Sequence, residues 1–409
     1  MDLRITTQKR LLQESITISG SKSESNRLLI LQQLYSNLKI ENLSDSDDSN
    51  HLQEALHSSN NIVDIGHAGT AMRFLTAYFA TKEGSNIILT GSERMKNRPI
   101  GILVEALRSL GADIEYNNNE GYPPLKISGK KITKSKVQIE GNVSSQYISA
   151  LLLIASSLEN GLEIELVGKI TSVPYIKMTL SLLEELGIKT FFESNIIKIE
   201  SKELLSPKTI IVESDWSSSS YFYSLVAMSD IGSEIHLSAY KQNSLQGDSC
   251  LAEIYKHFGV TTTFKDNTIL LKKEKESKTD ILEIDLKSAP DIAQTIAVTC
   301  FGLGISCNLF GLHTLKIKET DRLEALKEEL TKLGAEIMVT NESLHLKERI
   351  KINEDISIST YDDHRMAMAF APLALIVPIQ INDAKVVTKS YRDFWKDMQK
   401  IGFHLQEIK

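Results

Sequence analysis

The chain has 409 residues, of which 42% are hydrophobic and 24% charged, a composition typical of a globular protein large enough for two or three domains. Its formal net charge is −7 and it has no long run of like charges, which argues against nucleic acid as a partner. Cys250, Cys300 and Cys307 form no C-x-x-C pair, and the charged amino terminus lacks the apolar core of a signal peptide. We therefore expect a reduced, cytoplasmic protein.

The predicted elements repeat along the chain. A polar loop that opens a helix of small and apolar residues occurs six times, and the first copy is GSKSESNR at residues 20–27. The later copies, marked by Gly69, Ser144, Ser217, Asp291 and His364, follow one another at intervals of 75, 73, 74 and 73 residues. A fixed period of this length indicates a repeat architecture.

A second set of helices supports the same period. Each of these amphipathic helices is predicted to end at a glycine, because glycine adopts the left-handed conformation of a helix cap without steric cost; they are Gly111, Gly187, Gly259, Gly334 and Gly402. Most of the glycines precede two short strands around a polar turn. The repeating unit is therefore a β-α-β-α-β-β module of about 74 residues.

Six modules most simply form two domains of three modules each, an α/β (α+β) fold. The first module is about 26 residues short, and of its hairpin only residues 61–66 remain. Residues 292–315 contain no Asp, Glu, Lys or Arg, which is long enough for a membrane span. They contain several Gly, Ser and Asn residues, however, so we predict a helix followed by a buried strand and no contact with a membrane.

Cations gather at the polar loops and at residues 94–101, 316–323 and 384–393. Helix amino termini carry unpaired N–H groups and a partial positive charge, so these loops favour anions. In a chain with a net negative charge, this concentration of Lys and Arg predicts small, highly anionic substrates.

The motifs that carry this charge resemble those of the 5-enolpyruvylshikimate-3-phosphate synthase family. From about Ile16 to Trp395 the chain contains, in the family's order, GSKSESNR, GHAGTAMRF, RMKNRPIG, GYPPL, GNVSSQY, TSVPYI, QGD, PDIAQT, KETDRL and YDDHRMAMAF. The resemblance implies transfer of the enolpyruvyl group of phosphoenolpyruvate to the 5-hydroxyl of shikimate 3-phosphate, with release of phosphate, in chorismate and aromatic amino acid biosynthesis.

The resemblance also implies an organisation. Each domain would have three modules related by pseudo-three-fold symmetry. The chain would cross between domains near Ser19 and Glu213, so that residues 1–19 and 214–409 form one domain and residues 20–213 the other, with the substrates in a cleft between them. The family needs no metal or organic cofactor and is usually monomeric. Because the charged loops would lie on both domains, we also predict an open form that closes when shikimate 3-phosphate binds.

Site residues follow from the same resemblance. Shikimate 3-phosphate would be bound by Lys22, Ser23, Arg27, Ser144, Ser145, Gln146, Ser172, Tyr175, Asp291, Thr314 and Lys318. Phosphoenolpyruvate would be bound by Lys22, His67, Gly69, Arg98, Gln146, Glu319, Arg322, His364, Arg365 and Lys389. Asp291 would act as the base that takes the 5-hydroxyl proton. Glu319 and Lys22 are alternative donors of the proton that the methylene carbon gains.

Four positions depart from the family pattern. His67, Thr314 and Asp362 each stand where the family usually has Asn, and Phe74 stands where it usually has Pro. These changes bear on individual contacts and on the response to inhibitors, including glyphosate, which targets this family.

Two other functions remain as alternatives. One is enolpyruvyl transfer to UDP-N-acetylglucosamine, although that family usually has Lys-Asn at its first opening and a catalytic cysteine where this chain has GSERMKNRPI. The other is a substrate-binding paralogue without catalysis. A nucleotide-binding P-loop is excluded, because Lys22 lacks the G-x-x-x-x-G that must precede it.

Some residues favour plain structural roles. We expect Ser217–Ser220 to be helix N-caps, Tyr221 and Tyr223 to pack in a core, and the three cysteines to be small buried side chains.

Overall fold

The computed structural model describes residues 1–142, 144–170 and 173–408. The chain forms two compact units. Unit 1 consists of Met1–Ser19 and Glu213–Lys409, and unit 2 of Gly20–Val212. The chain thus leaves unit 1 after Ser19 and returns to it after Val212.

The strands are short and mostly half-buried. In chain order they are β1 (Asp2–Thr6), β2 (Gln13–Ile16), β3 (Leu38–Glu41), β4 (Ile62–Asp64), β5 (Asn86–Thr90), β6 (Asp113–Tyr116), β7 (Leu125–Ser128), β8 (Lys136–Glu140), β9 (Leu162–Val167), β10 (Thr190–Glu193), β11 (Ile196–Ile199), β12 (Lys208–Ile211), β13 (Glu234–Ser238), β14 (Val260–Lys265), β15 (Thr268–Lys273), β16 (Ile281–Asp285), β17 (Ser306–Phe310), β18 (Ile337–Val339), β19 (Leu344–Leu346), β20 (Ile356–Ile358), β21 (Ile379–Ile381) and β22 (His404–Ile408).

The helices alternate with these strands. They are α1 (Lys22–Leu34), α2 (Asp47–His57), α3 (Gly69–Thr81), α4 (Glu93–Lys96), α5 (Gly101–Leu110), α6 (Ser145–Ala155), α7 (Val173–Glu185), α8 (Trp216–Met228), α9 (Leu251–Ile254), α10 (Ala293–Leu303), α11 (Arg322–Lys332), α12 (His364–Phe370) and α13 (Phe394–Ile401). Short 3-10 helices span Gly247–Cys250, Tyr255–Phe258, Pro290–Ile292, His313–Ile317, Ala371–Leu375 and Ala384–Lys389.

One sheet pattern recurs in both units. Two parallel strands lie side by side, and an antiparallel hairpin continues the sheet beyond the second of them. In unit 2 this gives β4-β5-β7-β6 and β8-β9-β11-β10, and in unit 1 it gives β2-β13-β15-β14 and β16-β17-β19-β18. The α/β fold class and the repeated module predicted from the sequence are thus observed.

The ends of the chain complete the remaining sheets. The amino-terminal strand β1 lies between β21 and β22, antiparallel to both, and takes the inner hairpin position of the last module. In unit 2 the parallel pair β12-β3 forms a two-stranded sheet. Residues 42–61, all of which the structure describes, contain α2 but no strand, so the first module has no hairpin. Interpreting residues 61–66 as its remnant is wrong, because β4 is the first parallel strand of the next module.

Six helices that open at the polar loops form the core; we call them the inner helices. In unit 2 α1, α3 and α6 pack on one another, and in unit 1 α8 and α12 both pack on α10. Most residues of these helices are buried, as expected for helices packed between other elements. All residues of α8, for example, are buried.

Two local predictions are confirmed. The five predicted glycines all have φ between 74° and 117°. Gly111 and Gly402 are the C-caps of α5 and α13, Gly259 that of the 3-10 helix Tyr255–Phe258, and Gly187 and Gly334 lie two residues after the ends of α7 and α11. The uncharged stretch 292–315 forms α10 followed by strand β17, in which Cys307 and Leu309 are buried. Within the described ranges, no helix is long and apolar enough to span a membrane.

Candidate active site

The candidate site residues of unit 1 gather around Arg322, the first residue of α11. Its side chain is 2% exposed and forms hydrogen bonds with three carboxylates. Nη1 donates to Oδ1 of Asp291 at 2.9 Å, Nη2 to Oε2 of Glu319 at 2.7 Å, and Nε to Oδ2 of Asp363 at 2.6 Å. Such charge-assisted bonds hold a buried guanidinium firmly. We call this group, together with Lys318 and Arg365, the arginine cluster.

Asp291 lies in the 3-10 turn that precedes α10 and is surrounded by cations. Nζ of Lys318 lies 3.3 Å from its Oδ1, and Nη2 of Arg365 lies 3.5 Å from its Oδ2. Burial by itself would raise the pKa of Asp291. The charges of Lys318, Arg365 and Arg322 outweigh it and hold that pKa well below its usual value. Asp291 is therefore ionised at neutral pH.

A second aspartate lies beside this carboxylate. Asp248, half-buried at the start of unit 1's 3-10 helix Gly247–Cys250, belongs to the QGD motif, to which the sequence assigned no role. Burial and the neighbouring charge of Asp291 raise the pKa of Asp248 to about 7, although Arg365 and Lys318 oppose the rise. Beside the arginine cluster there is thus a second carboxyl, that of Asp248, whose pKa of about 7 contrasts with the lowered pKa of Asp291.

Asp363 is a further residue that the sequence analysis missed, because its role is to fix other side chains. It is fully buried and caps α12, since its Oδ1 accepts a hydrogen bond from the backbone N–H of Arg365 at 2.9 Å. It also bonds Arg322. Its place next to His364 and Arg365 in the YDDHR motif was the available signal.

The other predicted residues of unit 1 lie on adjoining turns. His364 is 4% exposed at the start of α12, and Nη1 of Arg365 donates to the backbone oxygen of Asp291 at 3.1 Å. Nζ of Lys389 donates to Oδ1 of Asp362 at 2.6 Å. The hydroxyl of Thr314 is buried and has no hydrogen-bond partner among the described residues, so it offers an unused polar group.

In unit 2 Lys22 begins α1, one residue after its N-cap, Ser21. Its Nζ donates to Oδ2 of Asp48 at 3.2 Å, and the lysine remains 29% exposed. Asp48, in the first turn of α2, is a partner that the sequence analysis did not identify. The pair keeps an ammonium group at the start of an inner helix, where its charge adds to that of the helix terminus.

Gly69 and Arg98 lie together at the start of α3. A Cβ atom on Gly69 would lie only 2.5 Å from Nη1 of Arg98, so no other residue fits beneath that guanidinium as it stands. The side-chain amide of Gln146, in the first turn of α6, donates to the hydroxyl of Thr70 at 3.1 Å. Two inner-helix termini and an exposed arginine thus meet in unit 2.

Arg27, by contrast, is 3% exposed and already engaged. It donates to Thr179 Oγ1 at 2.8 Å, to the backbone oxygen of Ser23 at 2.7 Å and to Ser149 Oγ at 3.0 Å. Its guanidinium also lies 5.5 Å from the ring of Phe74 and 5.9 Å from that of Tyr175. Burial lowers the pKa of Arg27 to about 10, and the guanidinium remains charged at neutral pH.

The remaining predicted residues of unit 2 are more exposed. Ser144 is the N-cap of α6 and accepts a bond from the backbone N–H of Gln146 at 3.3 Å, and Ser145 follows it half-buried. His67 is exposed, with its ring 5.9 Å from that of His51. Ser172 lies outside the described residues.

Of the structural roles predicted from the sequence, one is wrong and one is only partly correct. The N-cap of α8 is Asp215, whose Oδ1 accepts the backbone N–H of Ser217 at 3.0 Å, so the serines 217–220 lie inside the helix. Cys300 and Cys307 are buried but Cys250 is only half-buried. Tyr221 and Tyr223 are at most 1% exposed, as predicted.

Within the described ranges, no three His, Cys, Asp or Glu side chains are placed to hold a metal ion together. The candidate site residues of unit 1 and those of unit 2 present the same kinds of hydrogen-bond donor: guanidinium, ammonium, hydroxyl and backbone N–H. This set is suited to binding phosphate and carboxylate.

A family model and two curated proteins show what this chain is similar to in sequence. The model of the family described as EPSP synthase (3-phosphoshikimate 1-carboxyvinyltransferase) matches residues 53–398. A 3-phosphoshikimate 1-carboxyvinyltransferase of Bacteroides fragilis (strain YCH46) is 45% identical over 399 residues, which are 97% of this chain and 97% of that protein. One from Haemophilus influenzae (strain PittEE) is 37% identical over 422 residues, covering 95% of this chain and 96% of that protein.

Solved structures extend the likeness to the fold. A 2.37 Å structure of EPSP synthase from Acinetobacter baumannii matches with a TM-score of 0.83 at 20% sequence identity, covering 99% of this chain and all of that one. At this identity the match is evidence about the fold only.

Proposed function

This chain belongs to the EPSP synthase family, and we propose that the cations and carboxylates of its two units act together on one pair of substrates. As a member of the family it is a transferase of the shikimate pathway. It transfers the enolpyruvyl group of phosphoenolpyruvate to the 5-hydroxyl of shikimate 3-phosphate and releases phosphate. The residue roles below are proposals.

Phosphoenolpyruvate is held by cations from both units. Arg322 and Arg365 contact Asp291, and Lys389 contacts Asp362, so each has an internal anion that a substrate anion can partly replace. Arg98 and the N–H groups at Gly69 provide the same chemistry in unit 2. Lys22, Gln146 and His67 complete this part of the proposal, together with His364, whose buried ring begins α12.

Shikimate 3-phosphate is held mainly by unit 2. Lys22, Ser23 and the N-cap Ser144 present donors at inner-helix termini, and Ser145, Ser172, Gln146 and Tyr175 belong to the same proposal. Arg27 supports Ser23 through its backbone oxygen and keeps unused N–H groups. From unit 1, Lys318 and the unpartnered hydroxyl of Thr314 complete the set.

Asp291 is the general base. The observation that carries this role is its place among Lys318, Arg322 and Arg365, which keeps it ionised. A pKa so low makes a weak base. We propose that the substrate anions share the three cations when they bind, which raises the pKa of Asp291 toward the range in which it accepts a proton.

The chemistry is then an addition followed by an elimination. The 5-hydroxyl oxygen bonds to C2 of phosphoenolpyruvate as its proton passes to Asp291, and the methylene carbon gains a proton from Glu319 or Lys22. Loss of one methyl proton and cleavage of the bond from C2 to the phosphate oxygen then give the enol ether and free phosphate. The arginines stabilise the phosphate charge in both steps.

The test is release of phosphate from phosphoenolpyruvate in the presence of shikimate 3-phosphate. We expect turnover with that acceptor and none when UDP-N-acetylglucosamine replaces it. Phosphate release only with the sugar nucleotide, or with neither acceptor, would contradict the assignment.

We also propose that the protein acts as a cytoplasmic monomer, and that anion binding draws its two units together, since the cations belong to both. Size-exclusion chromatography with light scattering tests the monomeric state, and cell fractionation tests the cytoplasmic location. For the second, the radius of gyration from X-ray scattering should fall when shikimate 3-phosphate is added; an unchanged radius would count against it.

A further inference from the structure

Arg73 is a buried arginine without an acidic partner. It lies one turn after Gly69 in α3 and is 4% exposed. Nη1 donates to the backbone oxygen of Gly69 at 3.0 Å, and Nη2 to that of Pro99 at 2.9 Å. Its Nε is buried without a hydrogen-bond partner, and it forms no ion pair with any carboxylate of the described residues. The guanidinium also lies 5.8 Å from the ring of Tyr147, and Nη1 lies 3.6 Å from Sδ of Met95, but neither group is a carboxylate. A charge buried without a counter-ion is costly, so stability alone does not explain it.

The two carbonyls that Arg73 binds do not depend on it. The Pro99 oxygen also accepts a 2.6 Å hydrogen bond from the hydroxyl of Tyr147. The Gly69 oxygen belongs to the first turn of α3 and is an acceptor within the helix. Loss of Arg73 would therefore leave both carbonyls with a donor.

What the guanidinium does join is two segments of the proposed phosphoenolpyruvate site. Gly69 opens α3, and Pro99 directly follows Arg98, whose guanidinium lies over Gly69. By donating to both backbone oxygens, Arg73 links the backbone at Gly69 to the backbone at Pro99, next to that contact. Burial lowers the pKa of Arg73, and the positive charge of nearby Arg98 lowers it further. Two like charges and a helix amino terminus meet here, and no carboxylate in the described part of the chain forms an ion pair with either arginine.

We propose that Arg73 is a positioning residue for phosphoenolpyruvate: it fixes Arg98 over the amino terminus of α3 and supplies a buried positive charge that only the bound substrate anion neutralises. The proposal rests on the proposed function, in which Gly69 and Arg98 hold that substrate. It places part of the binding free energy of the substrate in a side chain that does not touch it.

The test compares Arg73→Met with Arg108→Met. Arg108 is a matched control in the same unit, because it also donates to a backbone oxygen, that of Ile114, but its charge is paired with Glu105. We expect Arg73→Met to raise the KM for phosphoenolpyruvate about tenfold or more, with the dissociation constant of shikimate 3-phosphate changed less than twofold. Its Tm should be equal to that of the wild type or higher, because an unpaired buried charge is removed. Arg108→Met should leave the KM unchanged.

Three further variants make the outcome decisive. Arg73→Lys retains the positive charge but cannot bind both carbonyls as the guanidinium does, so its KM for phosphoenolpyruvate should lie between those of the wild type and the Met variant. Arg73→Gln replaces Arg73→Met in the comparison if the Met variant does not fold. An unchanged KM for phosphoenolpyruvate in the Met or Gln variant overturns the proposal. So does an equal loss of affinity for both substrates with a lowered Tm, the result of a purely structural role. Arg98→Met tests the premise that Arg98 holds phosphoenolpyruvate. An unchanged KM in that variant would contradict the proposed function itself.

Discussion

Nη1 of Arg322 donates a 2.9 Å hydrogen bond to Oδ1 of Asp291. The proposed base therefore also serves as the internal counter-ion of an arginine proposed to bind phosphoenolpyruvate. One carboxylate thus links the charge state of the site to its occupancy, because a substrate anion that engages Arg322 releases Asp291 for proton transfer.

The first prediction concerns the base. Asp291→Asn keeps the shape of the side chain but cannot accept the 5-hydroxyl proton, so kcat for phosphate release should fall by about 10²–10⁴-fold. Asp285→Asn should have no such effect; Asp285 lies in unit 1, and its carboxylate accepts a local backbone N–H, that of Lys287, at 2.9 Å. Near-normal turnover of the Asp291 variant would show that another group is the base.

The second prediction concerns stability and pH. The pKa of Asp291 is lowered in the folded protein, so its contribution to the free energy of unfolding is complete above its unfolded pKa of about 4 and is lost as pH falls through the lower folded value. Asp291→Asn should reduce that free energy by about 2–4 kcal/mol at pH 7, somewhat less than for a fully buried pair. Urea unfolding at pH 7 and pH 3 measures the difference in the free energy of unfolding between the wild type and Asp291→Asn. This difference should be smaller at pH 3, and an equal difference at both pH values would contradict the prediction.

The third prediction concerns Lys22. Its pair with Asp48 is partly exposed, so Lys22→Ala should alter the Tm little, while the loss of the ammonium that is proposed to contact both substrates should abolish turnover. Lys126→Ala removes a similar lysine of unit 2, which donates to Glu115 at 2.9 Å, and should remain active. Wild-type turnover of the Lys22 variant would disprove the proposed role.

The sequence alone predicted the module well, because its period is recorded in local features. The glycines at 111 and 402 need the left-handed backbone of a helix cap, and the absence of charge from residues 292–315 indicates a helix and a strand that are largely buried. Pairings between distant segments leave no such trace. Nothing in residues 2–6 indicates that β1 lies between β21 and β22, or that β2 and β12 pair with strands far from them in sequence.

The site was predicted in the same uneven way. Residues with a motif of their own, such as Lys22 and Arg322, could be named from their neighbours. Their carboxylate partners could not, since Asp48 and Asp363 look like ordinary residues of a helix start until the fold brings them to a cation. Arg73 was missed for a related reason, because a buried arginine without an acidic partner is not predicted by any local pattern.

The fourth prediction concerns a buried lysine of unit 1 outside the proposed site. Lys273 is fully buried, and its Nζ donates to the backbone oxygens of Ala227 and Phe258 at 2.7 and 2.8 Å. Lys273→Met leaves both carbonyls without this donor and should lower the free energy of unfolding by about 2–4 kcal/mol, with kinetic constants unchanged at low temperature. Lys272→Met, at the neighbouring residue whose side chain is 42% exposed, is the control and should change stability much less.

The last prediction uses a position where this chain departs from its family. Asp362 has φ of 58°, and its carboxylate accepts a 2.6 Å hydrogen bond from Nζ of Lys389, which is proposed to hold phosphoenolpyruvate. The carboxylate competes with the substrate for this lysine. Asp362→Asn should therefore lower the KM for phosphoenolpyruvate by about two- to fivefold, the effect of a partly exposed ion pair, with kcat nearly unchanged. Asn tolerates the left-handed backbone, so the fold should not suffer.

A matched control exists in the same unit. Asp355 also has a positive φ, of 53°, and its Oδ1 pairs with Arg4 at 2.8 Å, but neither residue belongs to the proposed site. Asp355→Asn should leave the KM unchanged. The decrease in KM caused by Asp362→Asn should also become smaller at high ionic strength, because salt screens the charge of the competing carboxylate. An unchanged or higher KM at low salt would mean that Asp362 positions Lys389 for the substrate and does not compete for it.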